Sequence, residues 1–148
     1  MSFQEKRAFV TLFSAILIFV LYGLIVYFKY SDVILKTPND LKFWGTTILI
    51  LIPIAIAANI IIHIVFVIIN KIVTDEDAVS FMDELDKLIE LKATRNSHWV
   101  FVFGFFLSMG SQVLGMQPYV MFLTLIFFGF LSGIISEVTK IYLYRKGV

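Results

Sequence analysis

Four long apolar runs, Ala8 to Phe28, Phe43 to Ile69, Trp99 to Leu114 and Tyr119 to Ser136, fill more than half of this 148-residue chain. What remains is too short and scattered to build a separate aqueous domain. As helices the runs would be about 24 to 40 Å long, bracketing the ~30 Å hydrocarbon core of a bilayer. The expected fold is an all-α integral membrane protein, one domain over residues 1–148. Its transmembrane helices are expected at about 8–28, 43–69, 99–114 and 119–139.

The basic residues set an orientation. Lys6 and Arg7 precede the first run, Lys71, Lys87, Lys92 and Arg95 lie in the second connection, and Lys140, Arg145 and Lys146 follow the last run. Only Lys29, Lys36 and Lys42 fall on the opposite side, so the positive-inside rule places both termini and the second connection in the cytoplasm. Tyr27, Tyr30, Trp44, Trp99, Tyr119, Tyr142 and Tyr144 stand near run ends, where amphipathic rings favour the headgroup level. The first run follows Lys6 and Arg7 as a signal peptide would. It is about twice as long as an h-region and lacks an Ala-x-Ala site, so a retained anchor is expected. The localisation this implies is a multi-pass protein of a bacterial or archaeal cytoplasmic membrane.

Net charge is +1, yet seven of the eleven acids lie between Asp75 and Glu90. In that stretch Ala78, Met82, Leu85 and Ile89 recur at helical spacing beside Phe81 and Leu88, which predicts an amphipathic cytoplasmic helix over about 75–92. Thr74 with Asp75, Glu76 and Asp77 suits its start, because acids complement the positive end of the helix dipole. Asn96-Ser97 would then cap the third span, and Asp83 with Lys87 would form an i,i+4 pair. Anionic lipid repels such a face, so Met82, Asp83, Asp86 and Glu90 are expected to dock a basic protein partner. No basic run is long enough for direct nucleic-acid binding.

Inside the runs the polar residues are few. Asn59, His63 and Asn70 share one face of the second helix, so that face is expected to look inward. His63 lies ~10 Å from the run's midpoint, and Glu137 lies ~27 Å from the outer boundary on the fourth helix, which puts the two at similar depth. Asn59, His63 and Glu137 would make a protonatable cluster if they meet. If not, Asn59 and His63 make interhelical hydrogen bonds and Glu137 pairs with Lys140 one turn on. His63 and His98 are the only imidazoles and lack ligand spacing, there is no cysteine, and the acidic stretch lacks the alternating oxygens and central glycine of a calcium loop. No metal and no cofactor is expected.

Small residues predict close helix packing. Gly104, Ser108, Ser111 and Gly115 form one stripe, and Gly129 with Gly133 and Ser136 another; they would face each other within the chain or face a second protomer. The Phe105-Phe106 and Phe127-Phe128 pairs are expected to face lipid. Without a phosphate loop, a Gly-x-Ser-x-Gly elbow or a His-Glu-x-x-His motif, an enzyme is not expected.

The segment from Asp83 to Ala93, Asp-Glu-Leu-Asp-Lys-Leu-Ile-Glu-Leu-Lys-Ala, and the ending Lys140 to Gly147, Lys-Ile-Tyr-Leu-Tyr-Arg-Lys-Gly, resemble a family of small uncharacterised bacterial and archaeal four-helix membrane proteins. That resemblance implies four spans and, since members are often encoded beside helix-turn-helix regulators, a cytoplasmic regulatory protein as partner. The leading expectation is thus a non-enzymatic inner-membrane protein with a docking helix. The alternative is a small homo-oligomeric transporter or proton-coupled exporter with His63 and Glu137 as its titrating pair.

Overall fold

The computed structural model describes residues 3–74 and 83–147, and everything described is helix, turn or short connection. The described residues form five helices: α1 Phe3–Lys29, α2 Ser31–Lys36, α3 Leu41–Thr74, α4 Glu84–Val113 and α5 Pro118–Lys146. Three of them, α1, α3 and α5, are long and apolar enough to cross a membrane. The apolar part of α4, Trp99 to Val113, is only ~22 Å long and is broken by Gly104, Ser108, Gly110, Ser111 and Gln112.

The expected break between a cytoplasmic helix and a third span does not occur. α4 is one continuous helix of 30 residues that passes through Asn96 and Ser97. Neither glycine nor proline interrupts 84–103, and the Asn96 amide, instead of capping, reaches across to Thr139 Oγ1 at 3.5 Å. The helix starts at Asp83, whose carboxylate accepts from the Asp86 N–H at 2.7 Å while Asp86 Oδ2 accepts from the Asp83 N–H at 3.3 Å, a reciprocal capping box. Lys87 therefore pairs with Glu84, not with Asp83, at 3.6 Å. Thr74 closes α3 instead of opening a new helix. Met82, Ala78 and the rest of the expected amphipathic start lie outside the described residues.

Removing the Asp83 side chain leaves the Asp86 N–H without its partner, while the Asp83 N–H keeps Asp86 Oδ2. Asp83→Ala is expected to destabilise that end by about 1 kcal/mol and to speed amide exchange over residues 84–88 by about fivefold. Unchanged exchange there would show that the cap is not what starts the helix.

α4 ends in a Schellman turn. The Met116 N–H bonds the Ser111 carbonyl and the Gly115 N–H bonds the Gln112 carbonyl, both at 3.0 Å. Gly115 sits at φ 75°, a left-handed conformation in which glycine carries no Cβ penalty, and Pro118 supplies the first residue of α5. So short a connection forces α4 and α5 to lie antiparallel, and their contact is the most extensive among the described helices. α5 also packs on α1, and α1 on α3, with a thinner α3–α5 contact, while α4 reaches the rest mainly through α5. The order in space is α4, α5, α1, α3.

The two small-residue stripes do not face each other. Gly104, Ser108 and Ser111 turn toward α5: a Cβ on Gly104 would overlap the Phe128 side chain, and Ser108, fully buried, donates to the Met121 carbonyl at 2.9 Å. Gly129 and Gly133 have no heavy atom within 4 Å of where a Cβ would stand, so they leave open space. Phe128 is accordingly a packing residue, whereas Phe105, Phe106 and Phe127 are exposed.

The first connection is more ordered than a loop. After α2, the Trp44 indole donates to the Pro38 carbonyl at 2.8 Å, and Asp40 caps α3 by accepting from the Phe43 N–H at 3.1 Å.

Candidate functional site

The polar face of α3 lies against α1, and the partners it finds there repeat its own spacing. His63 Nε2 is 3.3 Å from Thr11 Oγ1, and Asn59 Oδ1 is 3.3 Å from Ser14 Oγ. Four residues separate the two polar partners on α3 and three on α1, so one turn of each helix matches one turn of the other. The Thr11 hydroxyl itself donates to the Arg7 carbonyl at 3.0 Å. With that proton committed, the contact to His63 is satisfied when Nε2 carries the imidazole proton, which leaves Nδ1 as an acceptor. Asn70, a turn and three residues further, is also buried.

On the other side of His63 a charged cavity of about 310 Å³ opens between α1, α3, α4 and α5. Arg7 and Thr11 come from α1, His63 from α3, Glu90 from α4, and Glu137, Lys140 and Tyr144 from α5. The sequence-derived pair of His63 and Glu137 therefore shares one cavity, but each makes its hydrogen bond elsewhere. Glu137 Oε1 accepts from Lys140 Nζ at 2.8 Å, and the side chains are only 12% and 25% exposed respectively. Arg7 forms no ion pair among the described residues, and Glu90 is exposed toward the opening. Two cations, Arg7 and Lys140, thus share the cavity with two carboxylates, Glu90 and Glu137, and the His63 imidazole. Formal charge balances within the cavity.

Two contacts beyond it tie the helix ends together. Glu5, buried on α1, accepts from Arg145 Nε at 2.9 Å, and the Arg145 guanidinium lies 5.3 Å from the centre of the Phe9 ring. The Tyr144 hydroxyl donates to Asp86 Oδ1 at 2.9 Å. Asp86 is therefore engaged inside the molecule, and the buried side of α4 at this level is Ile89 and Ala93. Its outward side carries Leu85, Leu88 and Leu91, all exposed, with Arg95 beside them. Of the residues expected to dock a basic partner, Asp83 is occupied as a cap, Asp86 is bonded to Tyr144, Glu90 lines the cavity, and Met82 lies outside the described residues.

The sequence reading missed Arg7, Thr11, Ser14 and Tyr144 as cavity or cavity-wall residues, whereas Lys140 stands where it was expected as the alternative partner of Glu137. Arg7, Thr11 and Ser14 step by four and three along α1, the same alternation that singled out Asn59, His63 and Asn70. Hydroxyl groups in apolar helices carry little signal singly, because each can satisfy itself on a carbonyl four residues back.

Below the hydroxyl pairs, toward the middle of α1, α3 and α5, lies an apolar cavity of about 510 Å³ lined by Ala15, Phe19, Leu51, Asn59, Gly129 and Phe130 among others. Phe19 and Phe130 stack at 4.0 Å with planes 8° apart and form one wall.

No family model, curated protein or solved structure matches the chain. Fold and site define its class on their own: over its described residues the chain is all helix and short connection, with three helices there able to span a membrane and a charge-balanced cavity at one end of them.

Proposed function

We propose that the chain is a four-crossing membrane carrier with both termini cytoplasmic, which takes a charged solute into the cavity at His63, Glu137 and Lys140 without covalent chemistry of its own. The fourth crossing is α4, short for the bilayer but sheltered along α5, and the charge asymmetry of the connections supports the orientation. The observation that carries the reading is the cavity itself. Ionisable groups so near hydrocarbon are costly and are kept where a solute, ion or proton uses them. Four helices enclose little aqueous volume, so a homo-oligomer in the lipid bilayer fits the transport role better than a monomer.

Proteoliposomes with a trapped pH dye test this. Amino acids, phosphate esters, ammonium compounds and short-chain amphiphiles are added in turn under an imposed pH gradient. At least one is expected to shift the dye signal in the wild type, with the rate falling at least about tenfold in a His63→Ala, Glu137→Gln double variant. A rate unchanged in the double variant, or no response to any compound, removes the carrier reading.

A second reading rests on a separate observation, the exposed Leu85, Leu88 and Leu91 on the charged part of α4, where apolar side chains gain nothing from water. That face suits a cytoplasmic regulatory protein held at the membrane. The flanking Arg95 and Lys92 would favour an acidic surface on it, the reverse of the basic partner expected from the acid count.

A further inference from the structure

The charged cavity and the apolar cavity are stacked on the same helices. On α1 Thr11 lines the first and Ala15 the second; on α3 His63 lines the first and Asn59 the second; on α5 Glu137 lines the first and Phe130 the second. One or two helical turns separate the members of each pair, and the Thr11–His63 and Ser14–Asn59 contacts form the sill between the two spaces.

The apolar space does not stop at the first chamber. A further chamber of about 330 Å³ shares Phe19, Ile48, Leu51 and Ile126 with it and continues along α1 to Tyr27. From Ala15 to Tyr27 the groove runs ~18 Å along the helix, slightly more than the ~15 Å depth of one leaflet's hydrocarbon. With the orientation proposed above, the charged cavity lies at the cytoplasmic headgroup level and the groove lies within hydrocarbon. We infer that the stacked cavities hold one amphiphile, an ethanolamine phospholipid whose zwitterionic head occupies the charged cavity and whose acyl chain lies in the groove between α1, α3 and α5.

The head chemistry follows from charge balance. A phosphate meets Arg7, the cation without an ion pair among the described residues, while a primary ammonium meets Glu90 at the opening. A purely anionic head would bring its charge beside Glu90 with no ammonium to compensate it, since Lys140 is already taken up by Glu137. A choline head carries a cation that cannot donate a hydrogen bond to Glu90. Gly129 has its own part in the tail site: it lines the groove with open space where a Cβ would stand, so a side chain there takes the volume of the acyl chain.

This assignment rests on the carrier reading for its membrane depth but is tested by binding, not transport. Native mass spectrometry of the full chain, released from nanodiscs holding equal amounts of ethanolamine, choline and glycerol phospholipids, weighs the lipid that survives stripping of the annulus. One ethanolamine lipid per protomer is expected in the wild type. Gly129→Leu should lower its occupancy at least about tenfold without lowering the melting temperature, because the Leu side chain enters open space. Arg7→Gln should do the same at the head, and Glu90→Gln should erase the preference for ethanolamine over choline.

Retention indifferent to Gly129→Leu, or equal retention of all three lipids, overturns the assignment, as does a second protomer filling the groove in place of lipid. Displacement of the lipid by soluble glycerophosphoethanolamine at equal concentration would show that the head alone binds. That outcome also overturns the amphiphile while leaving the solute-carrier reading intact, whereas lipid held as expected with no dye response in proteoliposomes removes transport and keeps the site.

Discussion

Alanine at Gly104 is expected to destabilise the protein, whereas alanine at Gly110, six residues on in the same helix, stabilises it. Both glycines lie inside α4, and in a helix interior Gly→Ala ordinarily stabilises by about 0.5–1 kcal/mol because less backbone entropy is lost on folding. At Gly110 nothing stands within 4 Å of the new methyl, so that gain is realised. At Gly104 the methyl overlaps the Cβ and ring of Phe128, close to the α5 backbone, where no rotamer change removes the conflict. The helices must separate, and overpacking of this kind costs about 1–3 kcal/mol. The net effect at Gly104 is destabilisation by one to a few kcal/mol, since α4 is held mainly through α5.

Thermal unfolding in mild detergent reads the contrast, at ~2–4 °C per kcal/mol for a chain of this size. The double-mutant cycle locates it: in a Phe128→Gly background, which removes the overlapping Cβ together with the ring, the penalty at Gly104 should shrink by at least about 1 kcal/mol. If Gly104→Ala raised the melting temperature as Gly110→Ala does, the close approach of α4 to Phe128 would be wrong, and with it the account of why this stripe of small residues exists.

The helices themselves were legible because apolar length and charge counting need no knowledge of neighbours. Their ends were less so. The expected boundary at Asn96-Ser97 came from cap chemistry, but those residue types cap only when the backbone leaves the helix, and in α4 nothing forces it to. The charge-rich segment before the boundary continues along the α5 residues that extend past the apolar run, so tertiary packing of Ile89 and Ala93 outweighs the local signal. On α3 the spacing of Asn59 and His63 marked the right face, since period alone decides which residues share a side. Their partners were not predictable from period, because Thr11 and Ser14 carry no charge and would have been unremarkable in any apolar helix. The docking role given to Asp83 and Asp86 came from counting acids, and counting could not anticipate that the two would cap each other or that Tyr144 lay opposite.

Glu137 and Lys140 differ in what their loss exposes, and the difference is a test of the cavity. Lys140→Met leaves the Glu137 carboxylate, nearly buried, without the ammonium 2.8 Å away. Breaking a fully buried pair from that side costs ~3–5 kcal/mol, and since a quarter of the Lys140 side chain is open to solvent the figure here is reduced to about 1–3 kcal/mol. Glu137→Gln removes the other partner, but the lysine it frees has a long stem and can carry its charge out through the opening, so its cost should stay under about 1 kcal/mol. A Glu137→Gln, Lys140→Met double variant removes both charges and should recover most of what Lys140→Met loses.

Thermal unfolding of the three variants beside the wild type gives the order: Lys140→Met lowest, the double variant above it, Glu137→Gln nearest the wild type. If Glu137→Gln were the most damaging, the carboxylate would be holding something besides Lys140. His63 Nδ1, left as an acceptor by the Thr11 contact, would then need its proton back to meet Glu137, which is the protonated state a proton-coupled cycle must visit. The stability order therefore separates a structural ion pair from a carboxylate held ready for the imidazole, before any substrate is known.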